Sequence, residues 1–338
     1  MPAKPVPDLE PYVPPAQTKE KLDWAELEAL DISRLDEPGG KEALAEQVLR
    51  FINENGFFYV TGHGLTDEQI NRQYAIGKAF FQLPLEEKMK YLCNTAVGDF
   101  RGYKPRSVGD LSSRDNDERY NIPKFTPEHE RPHPQLILDH YEEIKEFSLH
   151  IHNKILLPLL RLFAYVLEID EEYLVNLHRY EAEGLEYLRY TQYYPRTPEE
   201  DQKLDNIWAR GHTDYNTLTF LFYQPVAGLQ VLNTDTNTWK YVKSEPGSII
   251  VNVADALEFL SGCFLKSTVH RVVRPPRDQA NKPRLGLIYF ARPEAAVKMK
   301  PVKKWARARI AKDHRFRTGV VNHRETEIIA GVHQKYYD

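Results

Sequence analysis

Apolar positions at helical spacing open the ordered part of this chain. Leu44, Val48, Leu49 and Ile52 predict a helix over Lys41–Asn53, which Gly56 ends. Phe57-Phe58-Tyr59-Val60 then reads as a short buried strand. A second helix is expected over Asp67–Phe81, with Thr66 as its N-cap. Val97–Arg131 is rich in Gly, Asp, Ser and Arg and has little periodicity, so it predicts loop and short strands. Tyr141–Ile169 is a long helical stretch broken near Pro158. The character changes at Tyr187. Strand-like runs follow in series: Tyr187–Tyr194, Leu218–Tyr223, Leu229–Leu232, Trp239–Val242, Ser248–Val253, Thr268–Val273 and Arg284–Phe290. Gly228, Pro246-Gly247 and Pro275-Pro276 punctuate them, the signature of a sandwich or barrel. Helical character returns from about 298. The expected architecture is mainly β with flanking helices. A Pro-rich leader (1–22) precedes a single domain (23–338) made of a helical region (23–180), a β core (185–295) and a C-terminal helical region (296–338).

Composition narrows the partners. The chain has 338 residues, 41% hydrophobic, with a formal net charge of -4. So small a charge gives no global pull toward nucleic acid or membrane. No run approaches the roughly 18 apolar residues that span a bilayer, and the N-terminus has no secretory h-region. Cys93 and Cys263 form neither a metal-spaced pair nor a disulfide framework, which suits a reducing compartment. A soluble, cytoplasmic protein is expected. Lys298–Arg317 holds nine Lys or Arg and one acid, Asp313, and reads as a solvated helix face. The oligomeric state is not legible.

The chemistry concentrates in His212-Thr213-Asp214 and the distant His270. Residues i and i+2 of a strand share a face, so His212 and Asp214 can aim at one ion, with His270 closing the triad from another strand. Two imidazoles and one carboxylate on one face leave the opposite face open for a cosubstrate and dioxygen, as in non-heme Fe(II) oxygenases.

An ordered series surrounds the triad. It runs Tyr193-Tyr194-Pro195, Gly211-His212-Thr213-Asp214, Leu218-Thr219-Phe220-Leu221 and Gly228-Leu229-Gln230-Val231. It continues through Val251-Asn252-Val253-Ala254-Asp255 and Ser267-Thr268-Val269-His270-Arg271-Val272 to Arg284. Gly56-Phe57-Phe58-Tyr59-Val60, Gly62-His63-Gly64 and Phe80-Phe81-Gln82-Leu83-Pro84 extend it N-terminally. Over roughly residues 25 to 295 the chain resembles the isopenicillin N synthase-like group of Fe(II)/2-oxoglutarate dioxygenases. Lys266–Val273 and His212–Tyr215 also look like fungal enzymes of the thymine hydroxylase type and their relatives in secondary metabolism.

The resemblance implies a double-stranded β-helix, or jelly roll, that holds Fe(II) on His212, Asp214 and His270. It implies 2-oxoglutarate as cosubstrate and a small-molecule substrate that is hydroxylated or desaturated as O2 is consumed and succinate and CO2 are released. No catalytic side chain beyond the metal ligands is implied. Arg284 is the expected cation for the distal carboxylate, because a guanidinium can grip a carboxylate through two parallel bonds. Tyr194 matches the tyrosine that helps hold it, and Gln192 stands where Asn is common. Arg284-Leu285-Gly286 departs from the usual Arg-x-Ser. Tyr215 and Phe290 are expected at the substrate cavity, and Arg101, Tyr103, Tyr120 and Asn121 in the segment that covers it. Tyr190, Gln192 and Tyr194 share parity and are expected to face inward together. Competing readings are an oxidase of the same fold that needs no 2-oxoglutarate, a hydrolytic zinc enzyme on the same ligands, and a non-catalytic binding protein.

Overall fold

A computed structural model describes residues 8–51, 56–106, 116–233 and 236–302. The helical reading of 303–338, and most of the basic run from Lys298, lies outside the described residues. Among the described residues twelve strands form two sheets: β1 (Ala29–Asp31), β2 (Phe57–Thr61), β3 (Gly102–Lys104), β4 (Asp117–Pro123), β5 (Tyr187–Tyr193), β6 (Ile207–His212), β7 (Leu218–Leu221), β8 (Leu229–Asn233), β9 (Thr238–Tyr241), β10 (Ile249–Val253), β11 (His270–Val273) and β12 (Arg284–Ala291). The larger sheet has the order β1-β2-β10-β7-β12-β5-β4-β3 and the smaller β6-β11-β8-β9. All pairings are antiparallel except β1 with β2.

The sheets face each other across Phe57, Tyr59, Leu221 and Ile250 on one side and Leu229, Val231 and Val242 on the other. This is the expected jelly-roll core. The opposite face of the large sheet, with Phe58, Val60, Phe220, Val251, Leu285, Leu287 and Tyr289, is buried against helices. Those helices are Gly40–Phe51, Asp67–Gln82, Tyr141–His150 and Leu157–Val166. The result is three layers, with a strand face on each side of the large sheet removed from water. Thr66 caps its helix as expected: its hydroxyl accepts from the Gln69 amide at 3.2 Å, and the Gln69 side chain returns to the Thr66 amide at 2.9 Å. The predicted break near Pro158 is a π-helical turn, Ile151–Leu156, between two α-helices. Pro158 has no N–H to give to the preceding turn, and the wider turn absorbs the loss. No helix among the described residues is long and apolar enough to cross a membrane.

Two buried histidines tie stability to pH. Leu174 O and Thr217 Oγ1 lie 2.7 Å from the two ring nitrogens of His178, and His133 meets the Tyr120 hydroxyl at 2.6 Å. Burial pushes both imidazoles down to about 4 from an ordinary 6.5. The unfolded chain takes up these protons near pH 6.5, the folded chain only near 4. Their stabilising contribution is complete above pH 6.5 and is lost as pH falls toward 4. Denaturant unfolding at pH 5 is expected to give roughly 2 kcal/mol less stability per histidine than at pH 7. His178→Gln is expected to flatten that dependence; an unchanged slope would contradict the assignment.

Candidate metal centre

His212 is the last residue of β6 and His270 the first of β11, and the two are directly paired. Asp214 lies beyond the end of β6, so His212 and Asp214 do not share a strand face, contrary to the parity reading. Hydrogen bonds turn the carboxylate inward instead. Its Oδ2 accepts from Thr219 Oγ1 at 2.6 Å and from Asn252 Nδ2 at 3.1 Å. Its backbone carbonyl accepts from the Asp255 amide at 2.7 Å, and Thr213 Oγ1 donates to Asp255 at 3.0 Å. Candidate ligand atoms of the three residues all lie within 4.8 Å of one another. His212 Nε2 is 3.7 Å from Asp214 Oδ1, and His270 Nε2 is 3.8 Å from Oδ2.

The protonation states suit a cation. Nδ1 of His212 donates to Arg210 O at 2.8 Å and Nδ1 of His270 to Thr268 O at 3.2 Å. A carbonyl only accepts, so in the neutral form of each ring the Nε2 carries the lone pair, on the side of the centre. Burial, with His212 alongside, pushes His270 down to about 4, so its ring is neutral at pH 7. Burial alone would raise the Asp214 carboxyl; His270, His212 and the bonds from Thr219 and Asn252 outweigh it and hold the group below its ordinary value. Two imidazole nitrogens and an ionised carboxylate form the donor set that suits a divalent iron. His212 is half exposed, while His270 and Asp214 are buried, so the open side faces the His212 edge.

Pairing across the large sheet orders its inner face into rows. The first contains Phe57, Asn252, Thr219, Phe290 and Tyr187, next to the triad. The second contains Tyr59, Ile250, Leu221, Ile288, Arg189 and Asn121. Gly286, Thr191 and Arg119 follow, then Arg284, Tyr193 and Asp117. Arg284 is buried, its Nε donates to Val226 O at 3.2 Å, and its guanidinium lies 5.7 Å from the Tyr193 ring centre. Among the described residues no carboxylate pairs with it.

Several expectations need correction. Tyr190, Gln192 and Tyr194 do lie together, but on the helix side. Tyr190 opposes Leu287 and Gln192 opposes Leu285, both in the helix-covered core. The Gln192 amide donates to Tyr193 O at 2.9 Å, and Tyr190 donates to Gln73 at 2.7 Å. Tyr194 donates to Glu118, which also takes bonds from Tyr103 and from Lys88 at 2.9 Å. The tyrosine beside Arg284 is Tyr193. Tyr103 and Tyr120 are fully buried; Tyr120 stacks on Phe80 at 4.2 Å, so both are core. Arg101 is bound to Asp99 by two bonds, at 2.7 and 3.1 Å. Asn121 does face inward, where its Oδ1 accepts from Arg189 Nε at 2.8 Å. Phe290 opposes Thr219, and Tyr215 directly follows Asp214, so both stand near the triad. A groove of about 1000 Å³ bounded by Arg72, His133, His140 and Tyr141 contains none of the triad. The donor geometry, not cavity size, marks the site.

Gly286 has an explanation that the sequence hides. A Cβ there would lie 2.8 Å from the Thr191 methyl on the neighbouring strand, so Thr191 fills the space a serine would take. Gly286→Ser is expected to destabilise the fold by roughly 1–3 kcal/mol through overpacking. Adding Thr191→Ser, which removes that methyl, is expected to restore stability. Thermal unfolding of the single and double variants decides, and equal melting of Gly286→Ser and parent would refute the clash.

Comparison with known proteins bears on the same residues. Residues 27–141 match the model of the non-haem dioxygenase in morphine synthesis N-terminal region, and residues 184–293 that of the 2OG-Fe(II) oxygenase superfamily. Leucoanthocyanidin dioxygenase 1 of Oryza sativa subsp. indica is 31% identical over 289 residues, 82% of this chain and 74% of the relative. The chain belongs to the 2OG-Fe(II) oxygenase superfamily. The 2-oxoglutarate-dependent dioxygenase frbH of Dothideomycetidae sp. (strain 11243) is 30% identical over 82% of this chain and 84% of its own. A full-length Neurospora crassa protein, solved in complex with alpha-KG and 5-formyluracil, superposes with a TM-score of 0.73 at 25% identity, covering 84% of this chain and 91% of that one. As a 2OG-Fe(II) oxygenase, the protein is an enzyme that uses Fe(II) and 2-oxoglutarate to oxidise a small molecule with O2. Sequence reasoning passed over Thr219, Tyr187, Arg189 and Arg292. Knowing the β5–β12 register would have placed Arg189 and Tyr187 on the Arg284 face.

Proposed function

We propose that His212, Asp214 and His270 hold Fe(II), that Arg284 holds the distal carboxylate of 2-oxoglutarate, and that the substrate lies against Phe290 and Tyr215. When bound, the iron and cosubstrate supply the oxidising chemistry, and the substrate is hydroxylated or desaturated. The chain's own residues do the rest. Thr219 and Asn252 keep the Asp214 carboxylate turned to the metal, and the two backbone carbonyls fix the histidine tautomers. Phe57 packs edge-on against His270 at 5.5 Å and shields it from water. Arg284 lies three rows along the same face, and no carboxylate among the described residues pairs with it. We place the enzyme in the cytoplasm, where its two unpaired cysteines stay reduced.

The observation that carries this reading is the convergence of three donors on one point, with a buried arginine on the same inner face that no carboxylate among the described residues pairs with. The test is succinate release by the iron-loaded protein across a panel of small metabolites. Succinate formed in proportion to oxidised product is expected. Turnover without succinate would favour the oxidase of the same fold that takes its electrons from the substrate.

A further inference from the structure

Besides Arg284, two arginines lie on the inner face at the triad end. Arg189 sits 4.5 Å from the Phe290 ring centre and 5.2 Å from that of Tyr187. Arg292, two residues past Phe290, sits 4.2 Å from the Tyr215 ring and 5.4 Å from the Tyr187 ring. The two guanidiniums therefore flank one tyrosine. Each also rests on an aromatic tied to the metal centre. Phe290 opposes Thr219, which holds Asp214, and Tyr215 directly follows Asp214.

Among the described residues no carboxylate pairs with Arg189 or Arg292. Arg189 spends its bonds on Asn121 Oδ1 at 2.8 Å and the Tyr187 hydroxyl at 3.1 Å. Arg292 is 9% exposed; its guanidinium bonds to the Tyr187 and Tyr215 side chains, and its buried Nε has no acceptor among the described residues. Other partly buried arginines are paired with acids: Arg119 with Asp117, Arg274 with Asp201 at 2.9 Å, Arg72 with Glu143 at 3.1 Å. A buried guanidinium without a counterion is costly unless a ligand brings the charge. 2-Oxoglutarate does not meet this need, because Arg284 lies six residues before Phe290 on the same strand face.

We propose that Arg189 and Arg292 form the anion-reading edge of the substrate pocket, and that the substrate is a planar molecule carrying a carboxylate. The rings of Phe290, Tyr187 and Tyr215 take the plane; the two guanidiniums take the carboxylate by paired N–H···O bonds. The carboxylate is thereby fixed at the rim, and the part of the molecule nearest Thr219 is presented to the metal. This inference rests on the oxygenase reading above.

The test uses the full chain loaded anaerobically with Fe(II) and 2-oxoglutarate. Benzoate, cinnamate and 2-naphthoate are titrated against their primary amides, following the visible charge-transfer absorption of the chelated 2-oxo acid. At least one acid is expected to perturb the band at a concentration ~10-fold or more below its amide. Arg189→Gln and Arg292→Gln are each expected to erase most of that preference, with the amide response unmoved. Arg189→Lys, which keeps the charge and loses the fork, should fall between. Equal responses to acids and amides, or no response to any acid, would overturn the proposal and leave aromatic packing as the role of both arginines. A protein that shows no charge-transfer band at all fails the oxygenase reading instead.

Discussion

Asp214→Ala is expected to fold, to lose its iron and to form no measurable succinate. Asp214 is the single anion of the triad. It is buried, and it supplies the only carboxylate beside the two imidazoles, of which His270 is held neutral at pH 7 by burial. Removing it leaves two nitrogen donors and no charge to offset a divalent cation. Turnover should fall by more than ~1000-fold, a barrier increase of about 4 kcal/mol. Thr219→Ala gives the graded control. It removes one bond that orients the carboxylate while leaving all three donors, so iron affinity should drop roughly 10–100-fold. Metal analysis after gel filtration, with circular dichroism to confirm folding, reads both. Full iron occupancy in Asp214→Ala would refute the assignment of the centre.

Arg284→Leu is expected to separate cosubstrate from metal. The guanidinium is buried, pairs with no acid among the described residues and touches none of the triad. Its loss should raise the 2-oxoglutarate requirement roughly 10–100-fold, matching about 1.5–3 kcal/mol for bonds to a charged group. Iron content should stay near that of the parent. Leu retains most of the apolar volume, so the core around Tyr193 should remain packed. Measured by succinate release against 2-oxoglutarate concentration, an unchanged requirement would mean that another group holds the distal carboxylate.

The triad was legible because of what surrounds it: His-x-Asp and a far histidine are a weak signal alone, and the ordered series of motifs around them made the donor set readable. The strand that carries His212 was not. Ile207–His212 buries Trp208 and Ala209 and then exposes three residues in a row, so it shows no alternation. It is a strand because β11 pairs with it, through an irregular register. The orientation of β5 was misread for a related reason. Parity groups residues onto faces but does not say which face is inside; the partner strand decides, and a one-residue slip exchanges the two. Pairing with β12 puts Arg189, Thr191 and Tyr193 with Arg284, and sends Tyr190, Gln192 and Tyr194 toward the helices. Gly286 stood out as a departure, yet its explanation, the Thr191 methyl, sits ninety-five residues earlier in the chain and becomes visible only across the ladder. The buried aromatics of β3 and β4 fooled the reading in the opposite direction. Tyr103 and Tyr120 lie in the segment expected to cover the pocket, but face the helix-side core.

The most direct measurement is an anaerobic titration of the Fe(II)-loaded protein with 2-oxoglutarate, followed by visible absorption. The parent should develop a charge-transfer band that saturates at one equivalent, Arg284→Leu should require roughly 10–100-fold more 2-oxoglutarate for the same band, and Asp214→Ala should show none. A parent without the band, or a band of equal strength and midpoint in all three proteins, would contradict the proposed iron and cosubstrate site.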